Sequence, residues 1–319
     1  MNRKVRIISA FVTLMAITFS LAIINSMLTS TAYAQEQYSF LMKWGNSGRG
    51  IGSFSQPLEI AIDSNDNVYV TDFTALSNQI QKFSNDGTFL QSWGSLGFGA
   101  GHFANPTSIA IDSEDNVYVT DFGAPSFAVQ KFTSNGTFLD TWGAVGLGAG
   151  QFINPAGIAV DSDGYVYVSD FGENNHVVKF DSNGNLMNEW GSAGTGNGQF
   201  ITPTDIAVDS QNNVYVGDMG NDRIQVFDSN GNFLRTFGSS GTGEGQLGGV
   251  GGIAIDPEGN VYVSEPDNNR ISVFDINGNF ITTFGEGQLN FPLGLAVDSE
   301  GKIFAVDRNN DRIQVFARS

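Results

Sequence analysis

Residues 60–94 read IAIDSNDNVYVTDFTALSNQIQKFSNDGTFLQSWG, and this phrase decides the fold because it recurs six times along the chain. Its first element ends in an aspartate in every copy, at Asp63, Asp112, Asp161, Asp209, Asp256 and Asp298. The steps between these aspartates are 49, 49, 48, 47 and 42 residues. A period in this range, with four short β-rich phrases per unit, is typical of propeller blades that are each a four-stranded sheet.

The copies are circularly permuted relative to the chain ends. The last copy stops after its third β-rich phrase, at residues 313–316, and lacks the fourth. The missing phrase stands at the other end, where residues 39–45 (SFLMKWG) match residues 88–94 (TFLQSWG). The sequence therefore predicts an all-β fold, a closed six-bladed β-propeller of four-stranded antiparallel blades. The N-terminal strand is expected to complete the sixth blade.

The first residues have the composition of a targeting segment. Arg3, Lys4 and Arg6 give a basic start, an apolar run follows, and residues 32–34 (AYA) are small apart from the tyrosine. This order predicts a secretory signal peptide over residues 1–34 and the propeller over 35–319. The apolar run is also long enough to span a bilayer, so an uncleaved anchor is the alternative and would be the only membrane contact. Either way, the repeats are expected to be exported, as a secreted or envelope-associated domain.

The charge balance narrows the choice of partner. The chain has 15 basic and 33 acidic residues and a formal net charge of −18. Nucleic acid is excluded as a partner, because phosphate binding needs clustered Lys and Arg. A protein or small-molecule partner that is not anionic is expected, and self-repulsion favours a monomer. There is no cysteine, which removes disulfides and thiol chemistry.

An Asp-Gly or Asn-Gly dipeptide separates the third and fourth phrases in five copies. These dipeptides lie at residues 86–87, 135–136, 183–184, 230–231 and 277–278. Both residue types tolerate positive φ at the centre of a hairpin turn, and such pairs are a strong hairpin signal. The aromatics that end the fourth phrases, such as Trp93 and Trp142, are interpreted as packing between blades.

Three phrases carry a resemblance to a known family. Residues 155–161 (PAGIAVD), 166–170 (VYVSD) and 221–227 (NDRIQVF) resemble the NHL repeat. The resemblance implies a six-bladed propeller of a family that mostly binds proteins or RNA, with a minority of related enzymes. Two departures stand out. Val250 replaces the linker proline in the fifth copy, and the Asn-x-Arg element is clear only in copies four to six.

Functional residues are sought where the copies diverge, since positions common to all copies serve the scaffold. The loops after the second phrase are longer in copies one to three and carry apolar residues. The candidate binding residues on this loop face are Phe73, Leu76, Phe122, Phe127, Phe171 and Met219. The alternative is that these side chains fold down onto neighbouring linkers near Leu96, Phe98 and Leu147. An apolar patch rimmed by carboxylates would suit a protein or small ligand.

The copies also differ in the position of one cation. Arg223, Arg270 and Arg312 open the third phrase in copies four to six. Copies one to three carry Lys82, Lys131 and Lys179 three residues further along the same phrase. We hypothesise that each blade needs one cation to offset a strand-end acid. Because side chains alternate along a strand, the two slots are expected on opposite faces of the sheet.

Candidates for catalysis are few. Both histidines, His102 and His176, occupy repeat slots and are interpreted as scaffold residues. No catalytic residue and no obligatory cofactor are predicted. A ring of acids closes the second phrases and could approach a divalent cation such as Ca²⁺: Asp72, Asp121, Asp170, Asp218, Glu265 and Asp307. Their recurrence once per blade also fits structural capping.

The function expected from the sequence is therefore that of a non-catalytic binding scaffold. The alternative is a metal-dependent propeller hydrolase or lyase of the gluconolactonase or streptogramin-lyase type. A glycosylation acceptor pattern lies at Asn135, in Asn135-Gly136-Thr137, which is also a common turn sequence.

Overall fold

The computed structural model describes residues 37–73, 78–123 and 128–319. A compact unit spans Tyr38–Ser319 and contains six four-stranded sheets, each with its strands antiparallel. The predicted all-β six-bladed propeller is confirmed. In the described part of the chain, the only helices are single 3-10 turns at Met219–Asn221 and Arg308–Asn310, and none is long and apolar enough to cross a membrane. The predicted leader at residues 1–34 lies outside the described residues.

The strands follow one another blade by blade, innermost first. Blade 1 contains β2 (Pro57–Ile62), β3 (Val68–Asp72), β4 (Gln79–Phe83) and β5 (Phe89–Trp93). Blade 2 contains β6 (Pro106–Ile111), β7 (Val117–Asp121), β8 (Val129–Phe132) and β9 (Phe138–Trp142). Blade 3 contains β10 (Pro155–Val160), β11 (Val166–Asp170), β12 (His176–Phe180) and β13 (Leu186–Trp190). Blade 4 contains β14 (Pro203–Val208), β15 (Val214–Asp218), β16 (Arg223–Phe227) and β17 (Phe233–Phe237).

Blade 5 contains β18 (Ile253–Ile255), β19 (Val261–Glu265), β20 (Arg270–Phe274) and β21 (Phe280–Phe284). Blade 6 contains β22 (Pro292–Val297), β23 (Ile303–Asp307) and β24 (Arg312–Arg318), and its fourth strand is β1 (Tyr38–Trp44). The register of this closing pair runs from Tyr38 opposite Arg318 to Trp44 opposite Ile313. The prediction that the N-terminal strand completes the sixth blade is therefore confirmed.

The second strand of each blade forms the core, and all of its residues are buried. The tyrosine at its centre explains the aspartate that ends the first strand in five copies. In blade 1, the Tyr69 hydroxyl donates to Asp63 Oδ2 at 2.8 Å, while Asp63 Oδ1 accepts the backbone N–H groups of Asn65 and Asn67 at 2.9 Å each. The aspartate thus holds the turn between the first two strands and satisfies a buried hydroxyl.

The aromatic residue at the end of each fourth strand packs between blades, as interpreted from the repeat. Trp44 lies 5.8 Å from Phe304 of its own blade and 6.3 Å from Phe83 of blade 1, measured between ring centroids. A side chain at the hairpin glycine Gly87 would come within 2.6 Å of the Trp44 indole. The same glycine position therefore serves both the turn and the inter-blade contact.

The hairpin turns differ from the expected pairing of two residues with positive φ. In blade 1, Gly87 has a φ of 83°, but Asp86 before it is not in the left-handed region. The N–H of Gly87 donates to the carbonyl of Ser84 at 2.9 Å, and the ladder register shifts just before this turn, after Lys82. This is a type I turn followed by a glycine bulge, a longer loop that needs positive φ only at the glycine.

One end of the ring carries the connections that matter for function. The first strands begin and the second strands end there, as Pro57 opposite Asp72 shows, and the inter-blade linkers run over the same end. We call this end the loop face. The aspartates that end the first strands lie at the opposite face.

Removing the closing strand should destabilise the whole ring. A chain that begins after Trp44 leaves β24 as an open edge and uncovers Phe304. We expect its melting temperature to fall by at least about 10 °C relative to a chain that begins at Gln37, because 1 kcal/mol corresponds to about 2–4 °C in domains of 150–250 residues. Differential scanning calorimetry measures this, and equal transitions for the two chains would contradict the closure.

Candidate functional site

The strand-end acids predicted as metal ligands are buried and each caps a linker. Asp72 Oδ1 accepts the backbone N–H groups of Ser55 and Gln56 at 2.9 and 3.0 Å, and Asp307 Oδ1 accepts that of Asn290 at 2.7 Å. The remaining members cap the equivalent linkers: Asp121, Asp170, Asp218 and Glu265. Among the described residues, no three His, Cys, Asp or Glu side chains form a group able to hold a metal. This placement favours the capping alternative, and metal binding by these acids stays a prediction.

In blades 4 to 6, an arginine neutralises the strand-end acid. Arg223 Nε lies 2.7 Å from Asp218 Oδ2, and its Nη2 donates to the carbonyls of Gly196 and Gln199 in the linker. The equivalent pairs are Arg270 with Glu265 at 2.8 Å and Arg312 with Asp307 at 2.6 Å. One guanidinium therefore joins the second strand, the third strand and the linker. Charge-assisted hydrogen bonds of this kind are among the stronger ones in proteins.

Blades 1 and 2 have no cation in this slot, where Gln79 and Ala128 stand instead. Burial raises the pKa of Asp72, and it raises the pKa of Asp121 to about 6, because two backbone hydrogen bonds offset only part of the desolvation. Blade 3 is intermediate, since His176 Nε2 lies 3.6 Å from Asp170 Oδ2. Burial lowers the pKa of His176, so this histidine is a weaker cation than arginine.

The lysines of blades 1 to 3 lie at the opposite face of the ring. Lys82 Nζ is 3.1 Å from Asp63 Oδ2 and lies over the Tyr69 ring, 4.6 Å from its centroid. Lys131 makes the equivalent contact with Asp112 at 3.9 Å. The two cation slots therefore serve two different acids, the one that follows the first strand and the one that ends the second.

The arginine in blade 4 should matter more than the lysine in blade 2. We expect Arg223→Met to cost about 3–5 kcal/mol, because it leaves the buried Asp218 carboxylate unpaired. Lys131→Met is the matched comparison and should cost less, since its ion pair is longer. Urea unfolding at pH 7 measures both. Equal losses would show that the guanidinium does not hold the linker.

The predicted apolar loop residues lie directly after the strand-end acids. Phe73, Phe122, Phe171 and Met219 are half-buried on the loop face. Phe122 and Phe171, from adjacent blades, stack with ring centroids 6.2 Å apart and an interplanar angle of 18°. Leu76 and Phe127 lie outside the described residues. Of the four candidates that the structure describes, it thus brings two together.

The linkers that enter blades 2 and 3 expose further apolar side chains, which sequence reasoning treated only as packing partners. We call Leu96, Phe98, Val145 and Leu147 the apolar rim. Their exposed fractions are 51%, 63%, 53% and 63%. The corresponding positions in the linkers of blades 4 and 5 hold Ala193 and Thr195, and Ser240 and Thr242. This difference between the copies is the sequence feature from which the apolar rim could have been predicted.

A second feature of the loop face was missed, namely an open cavity of about 180 Å³ where the first strands begin. The first strand of five blades has a bulge here, because Pro57 pairs with Asp72 and Ile60 with Val70, which leaves two residues opposite one. Glu59 of blade 1 and Asp205 of blade 4 line this cavity. Blades 1 and 4 are opposite in a six-bladed ring, so these two residues lie on opposite sides of the axis.

Both axial carboxyls are buried, with exposed fractions of 8% for Glu59 and 7% for Asp205. Asp205 Oδ2 accepts the backbone N–H of Ile253 at 2.7 Å, and Glu59 Oε1 accepts that of Ile60 at 3.1 Å. Burial and the charge of Asp205 hold the pKa of Glu59 well above its usual range. Burial raises the pKa of Asp205 to about 7. The sequence does contain an indication of this site, because the copies differ at the position two residues after the linker proline. That position holds Glu59, Ser108, Gly157, Asp205, Gly252 and Gly294.

The remaining sequence candidates are Asn135 and the two histidines. Asn135 is exposed in the turn between β8 and β9, and its glycosylation stays a prediction. His102 lies in a linker, where its Nδ1 is 2.8 Å from the Ser95 hydroxyl. His102 and His176 belong to different blades and lie in a linker and at the start of a third strand, as the repeat slots indicated.

The axial carboxyl should make stability depend on pH. The folded-state pKa of Asp205, about 7, lies above the value of 3.8 for an unfolded chain. Its contribution to stability is therefore complete below about pH 4 and is lost as the pH rises through 7. We expect Asp205→Asn, which mimics the neutral acid, to melt at the same temperature as wild type at pH 4 and several degrees higher at pH 8. A variant that melts lower at pH 8 would contradict this assignment.

Comparisons with known proteins agree with the fold. The NHL repeat matches residues 152–180, 200–227 and 289–316. Similar solved structures include a gluconolactonase from Xanthomonas campestris, at 15% identity with a TM-score of 0.65, covering 91% of this chain and 93% of that one. A virginiamycin B lyase from Staphylococcus aureus has 14% identity and a TM-score of 0.59, covering 88% and 99%. An auxiliary nutrient binding protein from Bacteroides thetaiotaomicron has 13% identity and a TM-score of 0.63, covering 89% and 77%.

At these identities, the structural similarities show the fold alone. A comparison with curated protein sequences finds no significant match. The architecture and the similar structures define a six-bladed β-propeller. The family model identifies three NHL repeats in this propeller, in agreement with the resemblance found in the sequence.

Proposed function

We propose that this protein is an exported, non-catalytic binding scaffold whose loop face holds an apolar part of a protein or small-molecule partner. The observation that carries the proposal is the exposure of the apolar rim on two adjacent blades. Exposed apolar patches of this kind often mark interaction surfaces.

The rim is displayed on ordered backbone. In the linker to blade 2, the N–H of Gly97 donates to the carbonyl of Phe103, and the N–H of Phe103 donates to the carbonyl of Ser95, each at 3.0 Å. Phe103 itself is fully buried and fixes the base of the loop. A partner would therefore meet a surface that is already arranged, which lowers the entropy cost of binding.

The Phe122–Phe171 stack adds apolar surface on the same face of the ring. One of the similar solved structures, an auxiliary nutrient binding protein, is named for binding and has the same fold. The excess of acidic residues would repel anionic partners and favour neutral or cationic ones.

Replacing the rim with the residues of an equivalent linker should abolish binding without harming the fold. We expect Phe98→Thr with Leu147→Thr, which copies Thr195 and Thr242, to lose capture of partners from the native extracellular or envelope fraction. The matched control is Leu139→Ser, which removes a 46% exposed leucine from the outer strand of blade 2. Capture followed by mass spectrometry, with calorimetry to check the fold, makes the comparison.

Capture of the same partners by the rim variant and by wild type would contradict the proposal. Failure of the control variant alone would place the binding surface on the outer strands instead. A large loss of thermal stability in the rim variant would mean that these side chains pack rather than bind.

A metal-dependent hydrolase or lyase is the second candidate function. The axial cavity favours it, because a carboxyl with a pKa of about 7 can exchange protons near neutral pH. The fold is shared with the gluconolactonase and the lyase, which act on a lactone and on virginiamycin B by name. Assays of both substrates with and without Ca²⁺ or Zn²⁺ test it. Turnover that Asp205→Asn abolishes would support an enzyme over a scaffold.

A further inference from the structure

We propose that the axial cavity is a separate site that binds a primary ammonium group, such as the end of a lysine side chain or of a small alkylamine. The site lies on the loop face but does not include the apolar rim, so the inference goes beyond the proposed function. It is carried by the placement of two carboxylates on opposite sides of a cavity whose walls are apolar.

The cavity has the size and lining for an alkylammonium chain. Its volume of about 180 Å³ is well above the roughly 10–15 Å³ that one water needs in the same measure. A lysine side chain has five non-hydrogen atoms. Leu58, Ala156 and Leu293 supply apolar walls for the methylene stem. A long cationic side chain of this kind buries its stem against apolar surface and directs its charge to polar partners.

The charged partners of the ammonium would be Glu59 and Asp205. Neither carboxylate takes part in an ion pair among the described residues, and no lysine, arginine or histidine lines the cavity there. Two buried carboxylates that face one cavity without a counter-ion are costly, which is why burial favours their protonated forms. A bound ammonium would supply the missing charge and make the ionised forms favourable.

Equivalent positions in neighbouring blades hold glycines, which leave space for these acids. A side chain at Gly294 would collide with the Glu59 carboxylate, and one at Gly157 would lie 2.6 Å from the Cα of Asp205. The glycines therefore stand in the blades next to the acids. Ser108 of blade 2 completes the polar lining, and its hydroxyl accepts the backbone N–H of Ile158 at 3.3 Å.

An ammonium suits this site better than a divalent metal. Ca²⁺ takes six to eight oxygen ligands. Here only two carboxylates converge, and each already accepts backbone N–H groups, from Ile253 to Asp205 and from Ile60 to Glu59. An ammonium needs only three acceptors, which two carboxylates and a hydroxyl can provide.

The test is isothermal titration calorimetry with N-acetyl-lysine methylamide, compared with N-acetyl-norleucine methylamide, which keeps the stem and lacks the charge. We expect saturable binding of the lysine compound at pH 8 and at least tenfold weaker binding of the norleucine compound. Affinity should fall at least tenfold between pH 8 and pH 5.5, since the carboxyls must lose protons to bind the cation. Binding should release protons, so the measured heat should change with the ionisation heat of the buffer.

Glu59→Gln and Asp205→Asn should each weaken the lysine compound at least tenfold. Glu59→Ser and Asp205→Ser, which use the residue of the equivalent slot in blade 2, guard against a folding artefact. Glu244→Gln removes an exposed acid from a linker on the same face, and it should bind as wild type does. The rim variant Phe98→Thr with Leu147→Thr should also bind the amine normally, so failure at one site is distinguishable from failure at the other.

Three results would overturn the proposal. The first is equal binding of the lysine and norleucine compounds, which would show apolar binding alone. The second is unchanged affinity in the Glu59 and Asp205 variants. The third is tight binding of CaCl₂ or ZnCl₂, lost in the same variants, together with no binding of the amine.

Discussion

The capping of each linker by a buried carboxylate is the interaction on which the loop face depends. Asp72 and its five counterparts hold the chain where it passes from one blade to the next, and they do so from the end of the most buried strand. Because the linkers are fixed there, the side chains they carry are fixed too. The apolar rim, the Phe122–Phe171 stack and the mouth of the axial cavity all lie beside these caps. A carboxylate that serves structure in this way explains why an acid recurs in every copy.

Much of the fold could be predicted from the sequence, because residues that recur in six copies identify the structural positions of the blade. The blades, the closing strand, the inter-blade aromatics and the capping alternative all followed from positions shared among copies. The axial carboxyls were missed because Glu59 and Asp205 occupy a slot that holds glycine or serine in the other four blades. Only the bulge that turns this slot towards the axis gives the two residues a common environment, and the strand pattern alone does not indicate that bulge. The exposure of the apolar rim was also not predicted, because it depends on how tightly the linker folds.

The differences between the two halves of the ring have a common physical basis. Where arginine is present, one guanidinium neutralises the strand-end acid and also binds linker carbonyls, as Arg223 does. Where it is absent, Asp72 and Asp121 remain buried with raised pKa values, and the adjacent loops are longer. The half that lacks the ion pair between arginine and the strand-end acid is thus the half whose linkers expose apolar side chains. Arginine ion pairs and exposed apolar linker side chains therefore occur on different blades.

The pairing of the first strand with the last also governs when the molecule can form. Among the described strands, Tyr38–Trp44 is made first and its partner Arg312–Arg318 is made last. Until then, the ring has two unpaired edges, and such edges invite pairing with other chains. A nascent molecule must therefore be kept apart from its neighbours until both strands of this pair have been made. The same long-range contact means that a proteolytic cut between Trp44 and Pro57 would separate the fourth strand of blade 6 from the chain, while the other five blades stay covalently intact.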